Sequence, residues 1–138
     1  MKQRAHWIEY DGVTDRTETT HMSEKVNLAE NLSSFSDHWS PRTMTECNGH
    51  DVMVVKVLGE FVWHKHDDTD DLFLVLQGKI DIQMRDRTIT LGPGEMFVFP
   101  KNIEHRPVAR KEAHVLLIEP TGTPNTGYEE TAATRKLA

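Results

Sequence analysis

Two histidines separated by one residue, His64-Lys65-His66, stand before the acidic run Asp67-Asp68-Thr69-Asp70-Asp71. These residue types suit metal coordination: imidazole and carboxylate, once deprotonated, are donors for divalent ions. The apolar run from Val52 to Trp63 is rich in β-branched residues and argues for a strand that continues to His66. On a strand, residues two apart share a face, so the imidazoles of His64 and His66 would point the same way, close enough for one ion. The pair alone is weak, because with eight histidines in 138 residues chance supplies a His-x-His in roughly one such sequence in two. The surrounding frame strengthens it. Asp71 opens the next apolar run, and an antiparallel return brings its carboxylate back beside the imidazoles; Asp70 takes its place if that strand slips by one residue. A third imidazole has to come from elsewhere, and His105 follows the turn at Pro100 to Glu104.

The elements that must position these residues are short. Leu28, Leu32 and Phe35 recur at helical spacing behind Asn27, a good N-cap, which predicts one short amphipathic helix over 27–35 lying across the outside of the domain. Pro41 closes that region, and the chain then reads as strands. Residues 43–47 and 51–58 flank Asn48-Gly49, the dipeptide suited to a type I′ hairpin. Further strands are expected over 71–77, 79–84, 88–91, 96–99 and 114–119, broken by Gly78, the charged run at 85–87, Gly92-Pro93-Gly94 and Pro100. Short strands with Gly/Pro turns point to an all-β sandwich or barrel. Residues 1–26 read as a loosely ordered arm, 27–120 as the domain and 121–138 as an irregular tail. Parity places Asp71, Phe73 and Val75 inward, with Leu72, Leu74 and Leu76 on the other face. With His64 and His66 inward, Phe61 and Trp63 point out. Apolar residues on both faces of neighbouring strands imply a covered outer face, and a homodimer is the expected cover.

Composition narrows the function. A net charge of -6 with no Lys/Arg cluster among aromatics leaves no face for a phosphate backbone, so no nucleic-acid partner is expected. No stretch reaches the ~18 apolar residues of a membrane span, and residues 1–21 lack the apolar core of a signal peptide; a cytoplasmic protein without membrane attachment is the expectation. The single Cys47 cannot form an internal disulfide. His6, His21, His38 and His50 lack partners at ligand spacing and read as surface residues, and His114 as a strand-end residue. Phe73, Phe97 and Phe99 read as core or pocket lining, and Arg42 and Arg106 as candidate anion anchors.

Gly59, His64, His66, Asp71 and Gly78, followed by Gly94, Pro100 and His105, match the two sequence motifs of the cupin superfamily. The chain resembles that family over roughly residues 41–120, and among its members the small single-domain, type-2 barrels described as mannose-6-phosphate-isomerase-like. It departs in four places: Asp71 stands where the family has glutamate, Asn102 where it has glycine, Ala109 where it has asparagine, and four rather than five residues separate Gly59 from His64. Asparagine tolerates positive φ, so the turn at Asn102 is expected to survive. The resemblance implies a jelly-roll or double-stranded β-helix barrel with one short N-terminal helix, and His64, His66, Asp71 and His105 on one ion. Without a thiolate the donor set suits Fe(II), Mn(II), Ni(II), Cu(II) or Zn(II) and leaves one or two positions open for substrate, water or dioxygen. The function implied is an enzyme of oxygenase, isomerase or lyase type acting on a small organic acid or sugar derivative that chelates the metal. The alternative is a non-catalytic small-molecule-binding or sensing barrel. No other residue reads as a general base.

Overall fold

A computed structural model describes residues 24–127 and 136–137; most of the expected N-terminal arm, with His6 and His21, lies outside the described residues. One helix, α1 (Leu28–Ser33), precedes β1 (Arg42–Cys47), β2 (His50–Glu60), β3 (Asp71–Gln77), β4 (Ile80–Met84), β5 (Thr88–Leu91), β6 (Met96–Phe99), β7 (His105–Pro120) and β8 (Lys136–Leu137). The predicted all-β barrel with one short helix is what the chain forms. The Asn27 side chain accepts from the Glu30 amide at 3.0 Å, capping α1 as expected. The helix stops at Ser33, two residues early, where the Ser33 and Ser34 hydroxyls bond back to the carbonyls of Glu30 and Asn31.

β7 is the spine of the barrel. Its first residues pair with β4, from Met84↔His105 to Asp81↔Val108. Its second half pairs with β3, and β2 runs antiparallel beside it from His50↔Pro120 to Glu60↔Val108. β6 pairs with β3, β5 with β4, and β1 with β2. The interior is filled by alternate residues of these strands, among them Val55, Phe73, Val75, Ile82, Phe99 and Val115. Turn chemistry follows the sequence closely. Asn48 and Gly49 both have positive φ, 51° and 73°, the type I′ signature. Asn102 takes φ 67° in place of glycine. β3 alternates as expected, with Asp71, Phe73 and Val75 buried and the three leucines between and after them half-buried.

Four expectations are corrected. β2 ends at Glu60 rather than continuing to His66: the register slips between Val57 and Gly59, where Gly59 takes φ 82°, and the ladder ends with Gly59↔Ala109 and Glu60↔Val108. Residues 61–70 then belong to no strand and are tied to β7 by the Phe61 amide bond to the Pro107 carbonyl, 2.9 Å, and by the isolated bridge His64↔His105. Because strand parity stops at Glu60, Phe61 turns toward the interior instead of outward. The strand expected over 114–119 runs from 105 to 120; its charged middle, Arg110 to Glu112, is exposed, while positions 105, 107 and 109 alternate inward. Within the stretch expected to be irregular, Lys136 and Leu137 form a short parallel strand beside Arg42 and Thr43. No helix among the described residues is long and apolar enough to cross a membrane.

Candidate metal centre

Each member of the site comes from a different structural device. His64 and His105 are locked together by the reciprocal backbone bonds of their bridge, 3.0 and 2.9 Å. Asn102, in its left-handed turn, donates its amide to the His66 carbonyl at 2.8 Å and so holds the second half of the motif. Asp71 opens β3. All four side chains are at least 95 % buried, with His64 4 %, His66 5 %, Asp71 3 % and His105 1 % exposed.

Local hydrogen bonds set which ring nitrogen faces inward. His64 Nδ1 donates to the Val62 carbonyl at 2.9 Å, and His105 Nδ1 to the Ile103 carbonyl at 2.8 Å. This assignment leaves both Nε2 atoms as lone-pair donors, the arrangement that metal-ligating histidines use. The Nε2 atoms of His66 and His105 lie 3.3 and 3.4 Å from Asp71 Oδ2, yet neither contact is aligned as a hydrogen bond, and Asp71 Oδ1 has no partner either. Three buried, unsatisfied ligand atoms in one place carry a desolvation cost that an ion would remove. His64, His66 and Asp71 form a group able to hold a metal ion, their ligand atoms all within 4.8 Å of one another. The donor set therefore fits a divalent transition ion.

Electrostatics agree. Burial lowers the His64 pKa from 6.5 to about 4, more than the hydrogen bond to Val62 restores, so its ring stays neutral and available. Burial raises the Asp71 carboxyl, but the His105 and His66 rings and Glu119 together pull it below the usual carboxylate range. Aromatic packing fixes the rings: Phe99 stacks on His105 at 4.7 Å, and Phe61 meets His64 edge-on at 5.3 Å.

A cavity of about 40 Å³ adjoins the group and is lined by His64, Asp71, Phe73, Ile80, Trp39 and Phe61, among others. Trp39 stacks on Phe61 at 4.7 Å. Its backbone sits at φ 58°, an unusual position for a bulky residue. Bonds from its amide to Lys56 and its indole to Leu58, both 2.9 Å, hold it there.

Other sequence candidates lie elsewhere. Asp70, the alternative carboxylate, is exposed and accepts the Lys101 amide at 3.0 Å. Arg42 pairs with Asp37 at 2.6 Å, and Arg106 binds Gln83 beside the Trp63 ring; neither lines the cavity. His38 and His114 both contact Glu112. Trp39, Phe61 and Glu119 were missed as site residues. For Glu119 the signal was available: Val115, Leu117 and Glu119 share one face of β7, and all three are buried.

Residues 51–119 match the family model of the cupin domain; the chain belongs to the cupin superfamily. It is 48% identical to a cupin-2 domain containing protein from Shewanella frigidimarina, whose crystal structure superposes with a TM-score of 0.68 over 69% of this chain and 93% of that one. Protein YdbB of Bacillus subtilis is 30% identical over 109 residues, which span 71% of this chain and 96% of YdbB. A 3-hydroxyanthranilate 3,4-dioxygenase of Meyerozyma guilliermondii is 27% identical over 105 residues; the match takes in 71% of this chain and 62% of that enzyme.

Proposed function

We propose that the chain is a divalent-metal-dependent enzyme, with His64, His66, Asp71 and His105 holding the ion and a small organic substrate chelating it from the adjoining cavity. The observation that carries this reading is the set of orphaned buried donors, His66 Nε2, His105 Nε2 and Asp71 Oδ1, the last on a residue that lines that cavity. The bound ion would supply Lewis-acid or dioxygen-activating chemistry. The similarity to 3-hydroxyanthranilate 3,4-dioxygenase supports oxygenase chemistry ahead of isomerase or lyase chemistry.

The chain's own residues shape what can react. The His64 ring, kept neutral by burial, offers its lone pair without competition from protons near neutral pH. Trp39 and Phe61 wall the cavity with a stacked aromatic pair that excludes water and orients a flat or apolar portion of the substrate. No Lys or Arg lines the cavity among the described residues, so a substrate carboxylate would be met by the ion itself and not by a side-chain cation. Outside the barrel, Leu72, Leu74 and Leu116 are half-buried and Met96 and Val98 are 59 % and 45 % exposed, all on one face of β6, β3 and β7. We take that face as the seat of a second subunit in a cytoplasmic homodimer.

Metal analysis of the purified protein, before and after loading with Fe(II), Mn(II), Ni(II), Cu(II) or Zn(II), tests the first premise. One ion per chain is expected, lost in His64→Ala and His105→Ala; a wild type that takes up none of them sinks the proposal. Oxygen uptake by the Fe(II)- and Mn(II)-loaded protein with a panel of small organic acids and hydroxylated aromatics tests the reaction. Ligand-induced stabilisation with no product across the panel would replace the enzyme by a binding barrel.

A further inference from the structure

Among the described residues, the cavity holds a second buried carboxylate beside Asp71. Glu119, on β7, is 4 % exposed and lines the cavity. Its Oε1 lies 3.9 Å from His66 Nε2. We propose, building on the metal centre above, that Glu119 is a fifth protein ligand of the substrate-free ion, so that three imidazoles and two carboxylates hold it and a chelating substrate displaces the Glu119 carboxylate.

Reach, charge and the strand layout support the assignment. Two donors each about 2.0 to 2.2 Å from one ion lie within about 4.4 Å of each other once it is bound. The separations from His66 Nε2, 3.3 Å to Asp71 Oδ2 and 3.9 Å to Glu119 Oε1, both fall inside that limit. Charge favours the same set. Three neutral imidazoles and one carboxylate around a divalent ion leave a net positive charge in a pocket otherwise walled largely by apolar side chains. The second carboxylate makes the centre neutral, the cheaper state in a low-dielectric site. Finally, Leu72 pairs with Ile118, which sets Asp71 and Glu119 at neighbouring positions of β3 and β7. Asp71 has one methylene fewer than the glutamate that the cupin motif carries, and the longer Glu119 side chain reaches into the same space from the next strand.

The test uses Co(II), whose visible absorption reports coordination number and whose affinity is read by competition with a chelator. In the full-length protein, Glu119→Gln, nearly isosteric, and Glu119→Ala are each expected to weaken Co(II) binding at least tenfold and to strengthen the visible bands as the coordination number falls. Unchanged affinity and spectrum in both variants overturn the proposal. So does a Gln variant that matches the wild type while Ala is impaired, because a neutral side chain of the same shape would then serve as well and no carboxylate ligand is needed. A second measurement needs no variant to fold: with glutamate labelled at its side-chain carboxyl carbon by ¹³C, Zn(II) is expected to shift one buried glutamate resonance, and no shift overturns the assignment. Failure here with Co(II) still bound by the wild type leaves the four-ligand centre standing. Failure of the wild type to bind Co(II) or Zn(II) removes both.

Discussion

Acidifying the ion-free protein from pH 7 to pH 4 should destabilise it by about 3 kcal/mol through His64 alone. The ring is buried, and burial disfavours the imidazolium, so its pKa falls from the ordinary 6.5 to about 4 in the folded state. The neighbouring His105 and His66 rings push it the same way, while the Val62 carbonyl and Asp71 resist. The unfolded chain therefore takes up a proton at His64 before the folded one does. Stability is full above the unfolded value, falls as pH drops from about 6.5 towards 4, and is level again below the folded value. The gap of about two and a half pH units, at about 1.4 kcal/mol each, sets the magnitude. The assay is urea unfolding in the presence of a chelator at closely spaced pH values, for the wild type and for His64→Gln, which cannot titrate there. The difference between the two stabilities should shrink by about 3 kcal/mol across that window. Parallel curves for wild type and variant would show that His64 is not buried as a neutral ring, and the ligand geometry argued from it would fall.

Three further outcomes are expected. Phe99 is fully buried and stacked on His105, so Phe99→Ala should cost about 3 to 5 kcal/mol and weaken metal binding, whereas Phe99→Leu should keep most of the stability; thermal unfolding and ion titration read both. Gly127 has φ 80°, and a methyl group there would overlap the Lys65 carbonyl oxygen between the two motif histidines. Gly127→Ala is thus expected to lower ion affinity at least tenfold although Gly127 contributes no ligand, and an affinity equal to wild type would refute the coupling. Leu72→Asp on the outer face should convert a dimer to a monomer in light scattering without loss of metal; an unchanged mass would move the dimer interface elsewhere.

Much of the barrel was legible because its signals are local. Positive φ at Asn48-Gly49, the alternation along β3 and the breaks at Gly78 and Gly94 depend on a few adjacent residues each, and each took the form that their chemistry predicts. The histidines and Asp71 stood out by type and spacing; the structure groups His64, His66 and Asp71, with His105 Nε2 3.4 Å from Asp71 Oδ2. The errors arose where distant pairing overrides local pattern. From sequence, His64 and His66 share a face because they sit on a strand. In the fold they converge because the chain leaves β2 after Glu60 and is tied back to β7 by the Phe61 amide bond to Pro107 and the His64–His105 bridge.

The sequence by itself determined an all-β cupin chain, the hairpin chemistry and the identity of the histidines and Asp71, since side-chain period and turn conformers are encoded within a few residues. Only the tertiary structure decided that Phe61 faces inward, that Asp70 points away, and that Glu119 stands beside Asp71 within 3.9 Å of His66. Those outcomes depend on which strands become neighbours, and strand neighbours are chosen by packing over the whole chain and not by any short stretch of it.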